Sequence, residues 1–461
     1  MMVSFRHALH GSWQGLHRTI HIAVVGSGPS AFYTSKYLLR HSPNISVDMI
    51  ERLPTPFGLV RYGVAPDHPE TKIVTNDFQE TLNDERCRFF GNVEVGRDVT
   101  IDELRCAYDG VVVASGAASE KSLGIPGENL KNSITARAFV NWYNGHPDHA
   151  HDKYNLAVHD AVIIGNGNVA LDVARVLSCH HSAFQKTDMT QEAYETLSNS
   201  LIKRVFVVGR RGAPQAAFTN KELREIVKMT SFKTFVEQCA LDTSLMTPAT
   251  ISECNTRAVR RKMEILSKAE PVKDFTQDGL YFRFNLKPIE IIPDEKHPDM
   301  VGAVVFDRTK LTGESNNQAV QEAGEFEVIK AGLVIRSVGY RSMPIQGLPF
   351  DDKLGIIPSI YGRAVQSNGE PVPFVYVAGW IKRGPSGIIG SNITDAQETV
   401  TAILSDIKTE STTDADRQDL WNSLVSRGAI IIDKNMWKVI DLSEIGRGKA
   451  TGKPRENDVK Y

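Results

Sequence analysis

Short apolar runs alternate with helical stretches near the start of the chain. Residues 22–25 are apolar at every position, which is typical of a strand buried on both faces of a parallel sheet. Residues 32–40 have helical spacing, and residues 47–50, V-D-M-I, form a second strand that ends at Glu51. Because parallel strands need a crossover helix between them, this order predicts a strand–helix–strand unit.

The turn between that first strand and its helix reads G-S-G-P-S-A, residues 26–31. Gly26 permits a tight turn, Gly28 lets the backbone approach a pyrophosphate, and Ala31 takes the third glycine position. The helix N-terminus offers free N–H groups to that anion, and Glu51 is placed to accept hydrogen bonds from a ribose. A G-x-G-x-x-A pattern alone is weak evidence, but this context predicts a dinucleotide site.

A second unit of the same kind begins at Ala161 with A-V-I-I-G-N-G-N-V-A-L-D-V-A-R, in which Gly165 and Gly167 form the turn. Its next apolar run, residues 204–208, ends in G-R-R, where an NAD site places an acid. A carboxylate there would repel the 2′-phosphate of NADP, whereas guanidinium groups bind it. The second site is therefore predicted to select NADP through Arg210 and Arg211.

Composition narrows the function classes. The chain has 53 Lys and Arg and 55 Asp and Glu, so its net charge of −2 does not indicate a nucleic-acid-binding protein. No apolar run approaches the about 20 residues that a membrane-spanning helix needs. Peripheral association with a membrane is compatible with this composition. The five cysteines form no C-x-x-C pair, which disfavours disulfide exchange and a cysteine-ligated iron–sulfur cluster. No metal site is predicted.

Positive charge is concentrated in residues 203–273, which contain 14 Lys and Arg and 7 Asp and Glu. Such a concentration favours a polyanionic partner. Arg257 and Arg261 are four residues apart and would share one face of a helix. A solvated charged helix without a partner is the alternative interpretation.

The N-terminus has a distinct composition. Residues 1–21 contain no Asp or Glu but include Arg6, Arg18 and four histidines. An acid-poor, arginine-containing N-terminus is typical of a mitochondrial presequence, which we place at residues 1–20. An unstructured tail without a targeting role is the alternative.

Several longer motifs stand outside the two turns: P-F-G-L-V-R-Y-G-V-A-P-D-H-P (56–69), A-F-T-x-K-E-L-R-E (217–225), G-W-x-K-R-G-P-x-G (379–387) and T-G-K-P-R-E (451–456). These motifs resemble the adrenodoxin reductase family, the mitochondrial NADPH:ferredoxin reductases. The similarity runs from about residue 22 to the C-terminus, and it departs at Ser30-Ala31, where that family usually has Ala-Gly, and across residues 231–254.

The resemblance implies an α/β fold with two Rossmann-like dinucleotide-binding domains, the NADP domain being inserted in the FAD domain. We expect the first part of the FAD domain at residues 21–118, the NADP domain at 119–340, and the second part with a C-terminal tail at 341–461. We also expect antiparallel strands at 281–292 and 301–307, a polar loop at 312–323, and a strand at 332–339 that returns the chain to the first domain.

The motifs and the resemblance together assign the site residues. Arg257 and Arg261 look like the ferredoxin-docking arginines, and His68 and Asp172 are secondary candidates for tuning the flavin or domain closure. A helix beginning near Thr394 is expected to direct its N-terminus at the flavin. The predicted FAD contacts are Gly26, Gly28, Pro29, Ser30, Ala31, Glu51, Leu59, Val95, Gly379, Trp380, Gly387, Ile388 and Ile389. The predicted NADP contacts are Gly165, Asn166, Gly167, Asn168, Val169, Arg210, Arg211, Glu222 and Gly387.

The activity that the resemblance implies is transfer of a hydride from NADPH onto FAD and of single electrons to an acidic [2Fe–2S] ferredoxin of adrenodoxin type. The location it implies is the mitochondrial matrix. The cofactors carry the chemistry, so no catalytic acid or nucleophile is assigned. Two alternatives stay open: an NADPH-dependent flavin monooxygenase or oxidase, and a non-catalytic FAD-binding subunit.

Overall fold

The computed structural model describes residues 19–407 and 414–459, so nearly all of the presequence prediction lies outside the described residues. The strands are β1 Ile20–Val25, β2 Ile45–Glu51, β3 Cys87–Gly91, β4 Gly110–Val113, β5 Ser119–Glu120, β6 Ser133–Thr135, β7 Asp160–Ile164, β8 Arg204–Val208, β9 Thr234–Val236, β10 Glu270–Pro271, β11 Gly279–Arg283, β12 Leu286–Pro293, β13 Val301–Thr312, β14 Ala319–Lys330, β15 Leu333–Arg336, β16 Tyr340–Arg341, β17 Ser359–Ile360, β18 Arg363–Val365 and β19 Pro371–Val377. The helices are α1 Pro29–His41, α2 Leu59–Tyr62, α3 Pro69–Lys72, α4 Val74–Asn83, α5 Ile101–Ala107, α6 Ala136–Tyr143, α7 Asn168–Ser178, α8 Gln191–Ser198, α9 Asn220–Lys228, α10 Pro248–Cys254, α11 Arg257–Leu266, α12 Trp380–Arg383, α13 Ser391–Asp406, α14 Asp414–Ser426 and α15 Lys434–Ala450.

The described residues divide into two compact units. The first comprises residues 19–60, Ile73–Ala118 and Arg341–Val439, and the second comprises Arg61–Lys72, Ser119–Tyr340 and residues 440–459. Arg61–Lys72 and the C-terminal residues therefore lie in the second unit, whereas we expected both in the FAD domain.

Polar contacts explain the position of these two segments. Asp67 binds Arg175 of α7 at 2.7 Å, and Arg61 binds the fully buried Glu444 at 2.6 Å. Lys453 in turn donates to the carbonyl of Met189 at 2.9 Å. Each partner belongs to the second unit, so these contacts attach both segments to it.

The first unit is built on a seven-stranded sheet with the order β17-β18-β19-β4-β1-β2-β3. Strand β1 pairs in parallel with β2 on one side and with β4 on the other. The order of the strands reverses between β1 and β4, and the crevice beyond such a reversal is where open α/β sheets bind ligands. Strand β1 starts at Ile20, before the predicted residue 22, because Ile20 is buried and pairs with Ile45.

The second unit has its own seven-stranded sheet, with the order β10-β9-β11-β8-β7-β15-β6. Its strand order reverses between β7 and β15, so the ligand crevice is expected beyond Ile164. The expected strand at 332–339 is β15, and the chain re-enters the first unit soon after it, at Arg341. Strand β15 pairs in parallel with β7 and β6 and belongs to the second sheet.

The expected strand at 281–292 is two strands in different sheets. Strand β11 is parallel to β8 and β9, whereas β12 is antiparallel to β13. Asn285, between them, has a left-handed φ of +56°, which turns the chain from one sheet to the other. The predicted loop at 312–323 is confirmed only for residues 313–318, because β13 and β14 form a long hairpin whose second strand begins at Ala319 and is mostly exposed and therefore polar.

Helix α13 starts at Ser391, three residues before the predicted Thr394. Helix α15 was not predicted, because its buried positions include the charged Glu444 as well as the apolar Trp437. None of the helices in the described part of the chain combines the length and hydrophobicity that a bilayer crossing requires.

Candidate functional site

The turn after β1 is held between two neighbouring strands. The N–H of Gly26 donates to the carbonyl of Ile50 at 2.7 Å, and a Cβ on Gly26 would lie 2.6 Å from the carbonyl oxygen of Ala114. Gly26 also has φ +106°, so another residue would be strained there as well as blocked. Gly28 differs, because no atom lies within 4 Å of where its Cβ would be. The turn is therefore closed toward the sheet and open toward a ligand.

The helices of the described residues differ in how their N-termini are capped. Six helices are capped by threonine side chains, which accept backbone N–H groups of the first turn. Helices α1, α7 and α13 instead begin at Gly28, Gly167 and Gly390, with no side-chain cap and open space beside each glycine. The first-turn N–H groups and positive dipole ends of α1 and α7 are therefore available to an anion, which fits the pyrophosphates of two dinucleotides. In α13 the first three N–H groups already donate to carbonyls of residues 388–390, so this helix offers only its dipole. The threonine caps are Thr100, Thr135, Thr190, Thr219, Thr247 and Thr256.

Ser30 joins the N-termini of α1 and α13. Its hydroxyl donates to Oδ1 of Asn392 at 2.8 Å, and a Cβ on Gly379 would lie 1.9 Å from the Ser30 Oγ. The predicted contacts Ser30 and Gly379 are thus packed against each other. The departure from the resembled family at Ser30 has a structural role, since this hydroxyl connects the two helices. Ala31 beside it is fully buried.

Glu51 lies at the end of β2, beside the first turn. Its Oε2 accepts hydrogen bonds from the N–H and the hydroxyl of Ser27, at 2.9 and 2.7 Å. Leu59 follows Gly58, whose backbone lies against the first turn. A Cβ on Gly58 would be 3.1 Å from the Cα of Gly28. Val95 is half-buried against the core of the first unit. Pro29 is the first residue of α1.

The segment from Trp380 to Ile389 follows β19 and precedes α13. The indole N–H of Trp380 donates to the carbonyl of Ser386 at 3.2 Å, so this side chain stabilises the glycine-rich turn that contains Gly387. Ile388 is 70% exposed, and Ile389 is half-buried. An apolar side chain this exposed on such a turn offers a surface that a flat ring would cover.

The turn after β7 repeats the geometry of the first. The N–H of Gly165 donates to the carbonyl of Val208 at 2.8 Å, and a Cβ there would lie 2.1 Å from the carbonyl oxygen of Ser337. The carbonyl of Asn166 accepts from Ala217 and Phe218, which brings residues 209–219 beside the turn. Two further predicted residues begin α7: Asn168 accepts from Thr219 at 2.7 Å, and Val169 is half-buried against the core of the second unit.

The counterpart of Glu51 in the second unit is Gly209. Val25 pairs with Ile50, the residue before Glu51, and Ile164 pairs with Val208, the residue before Gly209. A Cβ on Gly209 would lie 2.3 Å from the Nδ2 of Asn166, so the amide of Asn166 occupies the space of the missing side chain.

Arg210 and Arg211 follow Gly209 and are both exposed. Within residues 19–407 and 414–459, neither guanidinium makes a hydrogen bond or an ion pair. The sequence predicted arginines in place of an acid at this strand end, and the structure shows that Gly209 occupies the position of the acid.

A buried polar cluster surrounds Arg175 on α7. Its guanidinium binds Asp67 at 2.7 Å and Asp172 at 2.9 Å, and lies 3.7 Å from Glu222. Burial raises the pKa of Asp172, and burial together with the charge of Asp172 raises the pKa of Glu222. Sequence reasoning missed Asp67 and Arg175, although the three-residue spacing of Asp172 and Arg175 on a helix was a usable signal.

His68 extends this cluster and binds Glu225 at 2.9 Å. Ligand-type atoms of His68, Asp172 and Glu222 lie within 4.8 Å of one another, as in a metal site. Because Arg175 already supplies positive charge to both carboxylates, we assign these residues to an ion-pair cluster. The predicted NADP contact Glu222 thus lies in the same cluster as both secondary candidates.

Arg257 and Arg261 lie on α11, one turn apart and both exposed. Arg261 binds Glu264 at 2.8 Å, and Arg257 has no polar side-chain partner in the described part of the chain. The first turn of α11 contains no acidic residue, although cations are unfavourable near a helix N-terminus. Arg257, in that first turn, therefore does not stabilise its own helix.

Comparison with known proteins agrees with this geometry. The model of the pyridine nucleotide-disulphide oxidoreductase family matches residues 20–386. The NADPH:adrenodoxin oxidoreductase of Arabidopsis thaliana is 42% identical over 96% of this chain and 94% of its own, and that of Homo sapiens is 40% identical over 96% and 90%. The NADPH-ferredoxin reductase FprA of Mycobacterium tuberculosis is 42% identical over 95% and 96%.

A solved structure of Mycobacterium tuberculosis FprA in complex with NADPH superposes with a TM-score of 0.88, at 39% identity, over 96% of this chain and 98% of its own. The five cysteines of the present chain are all free. The chain belongs to the pyridine nucleotide-disulphide oxidoreductase family and, within it, to the NADPH:adrenodoxin oxidoreductases and their bacterial relatives.

Proposed function

We propose that the protein is an FAD-dependent NADPH:ferredoxin reductase, which takes a hydride from NADPH onto FAD and passes single electrons to a [2Fe–2S] ferredoxin of adrenodoxin type. When bound, FAD accepts two electrons together and releases them one at a time. The observation that carries the proposal is the pair of uncapped glycine turns, one beside Glu51 and the other beside Arg210 and Arg211.

In the first unit, the N–H groups at the start of α1 bind the FAD pyrophosphate, and Glu51 accepts hydrogen bonds from the ribose. Trp380 and the turn from Gly387 to Ile389 border the ring. The uncapped N-terminus of α13 favours negative charge nearby, as forms on a flavin when it is reduced.

In the second unit, the start of α7 binds the NADPH pyrophosphate, and Arg210 and Arg211 bind its 2′-phosphate. Both guanidinium groups are exposed and uncommitted within the described residues, so binding breaks no existing ion pair. Charge-assisted hydrogen bonds from two arginines account for selection of NADPH over NADH.

The acidic ferredoxin docks on α11 through Arg257 and Arg261. The basic surplus of residues 203–273 attracts such a partner over long range. The double variant Arg257→Glu/Arg261→Glu should reduce ferricyanide at the wild-type rate but reduce ferredoxin about 100-fold more slowly at low salt. The matched control is Lys296→Glu/Lys330→Glu, which makes the same charge change on exposed lysines elsewhere in the second unit. Unchanged ferredoxin reduction by the docking variant would contradict this assignment.

The activity itself is tested by anaerobic stopped-flow mixing of the purified flavoprotein with NADPH. The flavin absorbance should bleach, and subsequent addition of an acidic [2Fe–2S] ferredoxin should restore it. Bleaching by NADH at an equal rate would contradict selection of NADPH. Rapid NADPH consumption in air without ferredoxin would identify an oxidase or monooxygenase, and absence of bleaching would identify a non-catalytic subunit.

We place the enzyme in the mitochondrial matrix. The acid-poor residues 1–21 support this location, and the relatives from Arabidopsis thaliana and Homo sapiens are mitochondrial by name. A fluorescent fusion of the whole chain should enter mitochondria, whereas the same fusion starting at Ile20 should stay in the cytosol. Equal mitochondrial import of both fusions would contradict the presequence assignment.

A further inference from the structure

Helix α11 has a lysine on its buried face. Lys262 is 9% exposed and lies beside the buried Ile265 and Leu266. Its Nζ donates to the carbonyl of Pro214 at 3.2 Å and to the carbonyl of Ala216. Burial lowers the pKa of Lys262. Because burying an ammonium group is unfavourable unless it is well bonded, a lysine at this position requires a reason.

The backbone that Lys262 binds is the continuation of the Arg210–Arg211 segment. Residues Ala213–Gln215 form a 3₁₀ turn directly after it. The side chain of Gln215 donates to Oε2 of Glu253 at 2.8 Å. Glu253 is 6% exposed, and its other oxygen accepts from the Asn316 N–H at 2.7 Å. The turn is therefore bound from two sides, by Lys262 and by Glu253.

The backbone at the two arginines is also fixed. The hydroxyl of Thr309 donates to the carbonyl of Arg210 at 2.8 Å, and the N–H of Asn285 donates to the carbonyl of Arg211 at 3.2 Å. The main chain is thus held at each step while the two guanidinium groups remain uncommitted. A binding group on a backbone already held in position loses less conformational freedom when it meets its ligand.

We propose that Lys262 is a positioning residue for the 2′-phosphate of NADPH. By binding the carbonyls of Pro214 and Ala216, it holds the segment from which Arg210 and Arg211 project. The inference rests on the proposed function, because it takes these two arginines as the phosphate ligands. It also makes α11, which carries the docking arginines, one rigid piece with the phosphate-binding segment.

The test compares nucleotides with and without the 2′-phosphate on the FAD-loaded enzyme. In Lys262→Met, the calorimetric Kd for 2′,5′-ADP should rise about tenfold, while that for 5′-AMP stays within about twofold. With ferricyanide as acceptor, KM for NADPH should rise by a similar factor at unchanged kcat, and KM for NADH should not change. Lys262→Arg should recover most of the affinity, and the exposed Lys268→Met should behave as wild type.

If Lys262 had only a structural role, Lys262→Met would weaken the binding of both nucleotides equally, and that result would overturn the inference. An unchanged Kd for 2′,5′-ADP would also overturn it. If Lys262→Met does not fold, Gln215→Met removes the other attachment of the turn and should show the same selective loss; a nonselective effect there would overturn the inference. A wild type that binds 2′,5′-ADP no better than 5′-AMP would instead overturn the NADPH part of the proposed function.

Discussion

The turns at Gly26 and Gly165 share a backbone geometry but differ at the neighbouring strand end. Each glycine donates to the carbonyl that ends the next strand, at 2.7 and 2.8 Å, and each would have its Cβ blocked by a carbonyl on the opposite side. At the strand end, Glu51 stands in the first unit and Gly209 in the second. Under the proposed function, the shared backbone provides the anion site, and the residue at the strand end sets which dinucleotide fits.

The difference between the two turns involves two positions in each unit: the residue between the glycines of the turn and the residue at the neighbouring strand end. Ser27 donates twice to Glu51 and so holds the carboxylate beside the first turn. Asn166, at the same position in the second turn, fills the space at Gly209 with its own side chain. Because no carboxylate is left there, the proposed contact between Arg210 and the 2′-phosphate meets no competing negative charge at this strand end.

The largest expected effect comes from adding a methyl group to either turn. Gly26→Ala should yield protein without FAD, and Gly165→Ala should retain FAD but lose bleaching by NADPH. Blocking contacts and left-handed strain together cost about 3 kcal/mol or more at each site. Flavin absorbance after purification and stopped-flow reduction measure the two outcomes.

The control for these variants is Gly369→Ala, which has φ +84° but open space around its Cβ. It should cost only about 1 kcal/mol of stability and keep both cofactors. If Gly165→Ala bleached with NADPH at the wild-type rate, the equivalence of the two turns would be refuted.

A smaller effect should follow from removing the arginines that distinguish the second turn. In Arg210→Ala/Arg211→Ala, we expect KM for NADPH to rise about 100-fold with ferricyanide as acceptor, because two charge-assisted interactions are lost. KM for NADH should stay unchanged. Arg257→Ala/Arg261→Ala removes the same charge from the same unit and should leave both KM values unchanged. An equal rise for NADH would contradict phosphate binding by this pair.

The stability of the second unit should depend on Glu128. This carboxylate accepts from Ser122 at 2.6 Å and from the N–H groups of Leu123 and Gly124, and it pairs with Arg336. Burial disfavours its ionised form, but these hydrogen bonds outweigh burial and lower its pKa to about 2, from an ordinary 4.5.

Glu128→Gln should therefore reduce the free energy of unfolding by about 2 kcal/mol at pH 7. Because the folded-state pKa of Glu128 is lowered, the stabilisation is complete above pH 4.5 and disappears as the pH falls toward about 2. Denaturant unfolding of wild type and variant across this range measures the difference. The control Glu290→Gln, at an exposed position, should not change the free energy of unfolding. If Glu128→Gln remained less stable than wild type at low pH, this explanation would be refuted.

The smallest expected effect is that of Glu51→Gln in the first turn. The amide cannot accept hydrogen bonds from ribose hydroxyls at both of its terminal atoms, so we expect FAD affinity to fall about tenfold. Titration of apoprotein with FAD measures the Kd, and the exposed Glu85→Gln serves as control. Unchanged affinity would mean that the acid at this strand end is not a ligand of the ribose.

Much of this architecture was predictable from local pattern. The runs that became β1, β2, β7 and β8 were identifiable because strands buried on both faces are mostly apolar, although β2 contains the buried Asp48. Strands exposed to water were not, and the expected loop at 312–323 became part of a hairpin. Helix α15 was missed for a related reason. Its buried Glu444 is paired with Arg61, which is distant in the sequence, so no local pattern shows that this charged position is buried.

The sequence alone determined two glycine turns, their strands and the type of charge beside each, because these depend on short-range sterics and periodicity. Tertiary structure alone decided that Gly209 is the counterpart of Glu51, that Asp67 meets Arg175 across 108 positions, and that Lys262 binds the carbonyl of Pro214 across 48. Strand register and contacts between distant segments depend on how the whole core packs, and no local pattern records that packing.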